Sequence, residues 1–158
     1  MSIQVKSSGF QNGQPIPKKY TGEGEDVSPP LSWSGVPALA KELAMIVDDP
    51  DAPTPEPFVH WVIYKIPAAT TGLPESVPND TTLSDPPGAM QGKNDFRKVG
   101  YGGPMPPKGH GVHHYHFKLY ALDKSLTVQP GLQKKGLLGA MKGSVVAEGE
   151  LVGTYERK

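Results

Sequence analysis

What most limits this chain's choice of fold is the way turn residues break it up. Short apolar runs such as "ELAMIV" (42–47), "HWVIYKI" (60–66) and "HYHFKLYAL" (114–122) are bounded by glycine, proline and polar residues. The 19 glycines and 18 prolines are spread between these runs rather than gathered in one segment. Both residues are costly inside helices, so a chain punctuated this way favours strands and loops. The composition falls just short of that of low-complexity, disordered chains.

Five segments read as strands: "IQVKS" (3–7), "ELAMIVDD" (42–49), "VHWVIYKI" (59–66), "HYHFKLYAL" (114–122) and "SVVAEGELVGTYE" (144–156). They are rich in β-branched and aromatic residues. "ELAMIV" is continuously apolar, as a central strand covered on both faces would be. One short helix is expected over "GLQKKGLLGAMKG" (131–143), with Leu132, Leu137, Leu138 and Met141 on its apolar face and Gly143 at its end. Strands with little helix point to an all-β fold, a two-layer and mostly antiparallel β-sandwich with a short helix towards the C-terminus. With 158 residues and no internal repeat, residues 1–158 are expected to form one domain. The segment 67–112 is long and poor in strand signals, which marks it as functional or as a shelter for short elements.

Charge and composition exclude several functions. The 16 basic residues equal the 16 acidic ones, so no electrostatic footprint for nucleic acid or an anionic membrane is visible. Cysteine is absent, which removes disulfides, thiolate ligands and a thiol nucleophile. No apolar run approaches the ~20 residues of a spanning helix, and no signal-like segment opens the chain. The expectation is a cytoplasmic protein without a membrane span or cofactor, with a homodimer as the commonest oligomer for such a chain.

The chemistry gathers in two places. "DDPDAP" (48–53) ends an apolar strand, and its prolines stiffen a turn that carries Asp49 and Asp51. Alone, such a turn serves as an Asx-type strand exit. His60 opens the next run; alone, a histidine at a strand start is structural or solvated. Sequential strands usually neighbour one another, so His60 would lie at the same sheet end as the aspartates. In the second place, "YGGPMPPKGHGVHHYHF" (101–117), alternation puts His113, Tyr115, Phe117 and Leu119 on one strand face and His114, His116, Lys118 and Tyr120 on the other. The glycine-rich loop before them would bring backbone N–H groups close to an anion.

"SPPLSW" (28–33), "DDPDAP" (48–53), "HWVIY" (60–64), "NDF" (94–96), "GYGGPMPPKG" (100–109) and "HHY" (113–115) follow the order and spacing of the phosphatidylethanolamine-binding protein family. The chain most resembles its bacterial and archaeal branch, the Raf kinase inhibitor-like proteins. The resemblance implies a β-sandwich with a small anion pocket at one end, lined by Asp49, Pro53, His60, Tyr101, Pro106, His113 and Tyr115. It implies phosphate, a phosphomonoester or a phosphoethanolamine head group as ligand, non-catalytic binding in a regulatory role, and a kinase or protease as protein partner. The family usually has arginine between the histidine and tyrosine of the last motif. This chain has His114, so contacts made through that arginine are not carried over.

An aspartate in an anion pocket needs compensation, because like charges ~4 Å apart repel by about 4 kcal/mol at an effective dielectric near 20. Asp49 could supply it by holding His60 or His113 protonated. Three rival readings stand beside this one. Asp49, Asp51, His60 and His113, with His114 and His116, could ligate a metal. An aspartate and a histidine in one pocket could serve acid–base hydrolysis, although no "GxSxG" motif is present. An exposed loop within 67–92 could inhibit a protease or kinase.

Overall fold

The computed structural model describes residues 2–158. In chain order the strands are β1 (Ser2–Lys6), β2 (Leu31–Ser34), β3 (Glu42–Asp49), β4 (Phe58–Pro67), β5 (Gly72–Leu73), β6 (Met90–Gln91), β7 (His113–Leu122) and β8 (Val145–Tyr155). The helix α1 (Lys134–Met141) precedes β8. All five expected strands form, and the long segment 67–112 does shelter short ones, β5 and β6.

The strands hydrogen-bond into one curled sheet in the order β5-β2-β1-β8-β7-β3-β4-β6. The sandwich's two layers are the limbs of this sheet. All pairings are antiparallel except β1 with β8, where Ile3 opposes Gly149. That joint connects the limbs, and glycine is required there: a Cβ at position 149 would run into the Ile3 carbonyl. Between the limbs lies the main core, with Val5, Trp33, Met45, Trp61, Phe117 and Leu119 among its members.

β3 lies between β4 and β7, and all eight of its residues are buried. Its alternate residues serve two cores. Met45 and Val47 enter the main one, while Ala44 and Ile46 meet Leu137 and Met141 of α1 on the opposite face. Coverage on both faces is why "ELAMIV" shows no polar alternation. Each large apolar side chain fully buried in this way contributes roughly 1.5–3 kcal/mol. The helix is shorter than expected. It starts after Gly131, whose positive φ of 88° turns the chain, and Leu138 points to solvent instead of joining the apolar face.

Candidate functional site

The β3–β4 hairpin and the start of β7 meet at one end of the sheet. Asp49 pairs in register with Phe58 across the hairpin, and Asp48 with His116 across to β7. The three aspartates of the turn then diverge. Asp48 faces α1 and accepts a hydrogen bond from Lys134 Nζ at 2.7 Å. Asp49 points inward, where its Oδ2 lies 2.6 Å from His113 Nδ1, both groups buried. Its Oδ1 accepts the Asp51 N–H at 2.8 Å, the Asx turn that shapes the loop. Asp51 turns outward, and its Oδ2 accepts both the backbone N–H and the ring Nδ1 of His114 at 2.8 Å.

Asp49, Pro53, His60, Pro106, His113 and Tyr115 surround a cavity of about 260 Å³. Alternation along β7 places His113 and Tyr115 on the buried face, with His114 and His116 on the other. Six of the seven residues that the family resemblance nominates are thus together. Tyr101 is not with them. It is buried against Trp61, and its hydroxyl donates to the Tyr20 carbonyl at 2.6 Å. It lines a neighbouring cavity that shares only the walls Phe96 and Met105 with the first. A larger concavity, about 690 Å³, runs along β1 and contains neither histidine nor aspartate, so size does not mark the site.

His60 and His113 are held by different partners. Asp49 takes His113, not His60. The His60 Nδ1–H donates to the Gly102 carbonyl at 2.7 Å. A carbonyl only accepts, so the proton sits on Nδ1 and Nε2 is the open lone pair. Burial pushes the His60 pKa below its usual value, with the Gly102 bond and the Asp49 charge pulling the other way. A buried neutral ring follows. Tyr115 packs edge-on against His60, ring centroids 5.1 Å apart. Burial, then the charges of Asp49 and Asp51, raise its pKa and keep its hydroxyl protonated. Among the described residues neither His60 Nε2 nor the Tyr115 hydroxyl has a protein partner, and neither is sealed from solvent.

In the glycine-rich loop, three of the four glycine N–H groups expected to approach an anion are bonded within the protein. The Gly102 N–H donates to the His60 carbonyl, that of Gly103 to Asp26 Oδ1, and that of Gly109 to the Arg157 carbonyl. Its glycines provide space instead: a Cβ at 102 would strike the Phe96 ring, and one at 103 the Tyr20 carbonyl. The residues weighed as metal ligands are also dispersed. Asp51 binds His114 outside the cavity, His116 binds Glu150, and no cluster of three candidate ligands occurs among the described residues.

Residue-by-residue reading missed the apolar collar. Phe58 and Phe96 pack edge-on to His60, at 5.2 and 5.3 Å between centroids. "NDF" carries the signal for Phe96. The Asn94 side chain accepts the N–H groups of Phe96 and Lys98, and Asp95 accepts that of Val59, which anchors the turn beside β4. His110 was also missed. Its Nδ1 lies 2.6 Å from His113 Nε2.

Comparison with known proteins follows the same lines. The family model described as phosphatidylethanolamine-binding protein matches residues 6–156. A UPF0098 protein of Pyrococcus horikoshii is 52% identical over 158 residues, covering 100% of this chain and 78% of the relative. A crystal structure from Chlamydia trachomatis, described as a phosphatidylethanolamine-binding protein homologue, superposes with a TM-score of 0.88 at 40% identity, covering 99% of each chain. Escherichia coli YbcL, described as a member of the mammalian PEBP family, also gives 0.88, at 36% identity over 100% of both chains. Among the described residues no helix is long and apolar enough to cross a membrane.

Proposed function

The chain belongs to the phosphatidylethanolamine-binding protein family, and on that premise we propose that it binds a small, singly charged phosphoryl-type anion, free or as a head group, without transforming it. The observation that carries this reading is the buried Asp49–His113 pair beside a neutral His60 and a protonated Tyr115 in one cavity. The cavity, about 260 Å³, is small for a drug-sized ligand.

The hydrogen-bonding pattern selects the ligand's charge state. Tyr115 O–H can donate to an anionic oxygen. In its imidazolium form, with Asp49 as counter-ion 2.6 Å away, His113 can donate a second bond and offset the carboxylate's repulsion. The free lone pair of His60 needs a donor, which the P–OH of a phosphoryl monoanion supplies. The collar of Phe58 and Phe96 gives the cavity an apolar wall, which lowers the local dielectric and strengthens each bond.

Titration calorimetry with phosphate and phosphoethanolamine tests the reading. Affinity should fall between about pH 6 and about pH 8.5, as the ligand loses the P–OH proton that His60 accepts. Dimethyl phosphate, a monoanion throughout this range, isolates the protein's share of that change. It should bind more weakly than phosphate because it brings no donor to His60. If all three ligands fail to bind, or bind His113→Gln and Tyr115→Phe as well as the parent protein, the proposal is wrong.

A further inference from the structure

We infer that His110 is a built-in competitor for the anion: it occupies the hydrogen-bonding edge of His113 that a ligand needs, and it must swing away before one can bind. The inference rests on the anion-binding reading of the preceding section and adds a regulatory step to the same site.

Both ring nitrogens of His113 are engaged. Its Nδ1 is 2.6 Å from Asp49 Oδ2, and because the carboxylate accepts, Nδ1 carries a proton. Its Nε2 is 2.6 Å from His110 Nδ1. A neutral His113 accepts a hydrogen bond from the His110 Nδ1–H there; a charged one donates its Nε2–H to His110. In both states the Nε2 edge is spent on His110, and His113 has no N–H left for a ligand. Asp49 Oδ1 is occupied as well, by the Asp51 N–H. The docked state therefore leaves only Tyr115 and His60 to meet an incoming anion.

His110 also has freedom to move. His110 is exposed, and its ring rests on that of His113 with 4.9 Å between centroids. It stands between Gly109 and Gly111, which both have positive φ (74° and 94°) and open space around them. Glycine on both sides gives the segment access to backbone conformations closed to other residues. The Gly109 N–H is tied to the Arg157 carbonyl at 2.8 Å, while the His110 N–H makes only a 3.2 Å bond to the Pro107 carbonyl. The flap is thus pinned at one end and hinged around its histidine. Among the described residues, the one side-chain hydrogen bond of His110 goes to the ligand-facing histidine.

The test uses the full chain and its His110→Ala variant, a change at an exposed loop position that leaves the core intact. In the ligand-free protein, ring-nitrogen NMR should show the His113 Nε2 resonance shift on substitution; an unmoved resonance would mean that His110 does not dock in solution and would overturn the inference. Inorganic phosphate at one fixed pH then serves as the probe. A lost hydrogen bond of this kind is worth about 0.5–1.5 kcal/mol net, so the variant should bind phosphate about twofold to about twelvefold more tightly. Equal or weaker binding by the variant, with binding still abolished by His113→Gln, overturns the competitor role alone and leaves the anion site standing. Binding to neither protein, or binding indifferent to His113→Gln, overturns the anion reading and the competitor with it.

Discussion

Two aspartate–histidine pairs join the same two pieces of chain. Asp49 meets His113 and Asp51 meets His114, at 2.6 and 2.8 Å between Nδ1 and Oδ2. One links the end of β3, the other the turn after it, to the first residues of β7. Their surroundings differ completely. In the inner pair the histidine and aspartate side chains are 2% and 3% exposed; in the outer pair, 51% and 42%. Strand alternation alone produces this, since His113 and His114 are neighbours that point to opposite faces. The same contact therefore has two jobs. In the outer pair, water screens the charges and the contact mainly fixes the loop. In the inner pair, two ionisable groups are removed from water, and each depends on the other.

The sharpest way to break this comparison is to remove one partner from each pair. Asp49→Ala strands a buried histidine and the Asp51 N–H, and should cost about 3–5 kcal/mol of unfolding free energy in denaturant titration. Asp49→Asn keeps an acceptor and should cost less. Asp51→Ala should cost no more than about 1 kcal/mol. Equal losses from the two alanine variants would show that burial does not separate the pairs.

A second, smaller effect compares His113 with the other cavity histidine. His60 has a carbonyl where His113 has a carboxylate, and burial lowers its pKa. A histidine whose folded pKa lies below its unfolded value of ~6.5 binds fewer protons folded than unfolded in the interval between them. Stability rises with pH there. The contribution is complete above about pH 6.5 and is lost as pH falls from there through the folded value, at no more than about 1.4 kcal/mol per pH unit. Thermal or denaturant melts of the parent and of His60→Asn should diverge as the solution is acidified, with the parent losing stability faster. Parallel curves would mean that His60 titrates normally.

What the sequence made legible follows a physical division. Strand positions were readable because alternation and apolar runs are local. That is why the two faces of β7 and the doubly buried β3 are as the residues suggest. The convergence of "DDPDAP", His60 and "HHY" also needed only a hairpin and a neighbouring strand. What could not be read depends on which partner a polar group finds among several within reach. Asp49 could have held either histidine, and only the three-dimensional path of Gly102 decides that His60 takes a carbonyl instead. Composition does not reveal that Asp26, 77 residues away, claims the N–H of Gly103. Tyr101 sits in a family motif, yet its side chain turns towards Tyr20. Gln91 left no mark at all, although it receives the Trp61 Nε1–H and holds two loop carbonyls.

The smallest effect is the most specific to this chain. His114 replaces the family's usual arginine, and it holds Asp51 through two bonds, one from its ring and one from its backbone. Burial works against the Asp51 carboxylate, but the ring bond, the backbone bond and the His114 charge together lower its pKa below the ordinary carboxylate value. Removing the ring leaves the backbone N–H in place, whereas removing the carboxylate abolishes both bonds. His114→Ala should therefore destabilise less than Asp51→Ala. A double-mutant cycle between them should give a coupling of about 0.2–1 kcal/mol. The coupling should shrink as salt rises to about 1 M, where the screening length falls to about 3 Å. A salt-insensitive coupling as large as the loss on removing Asp49 would mean that the outer pair is not an exposed contact, and the contrast between the two pairs would disappear.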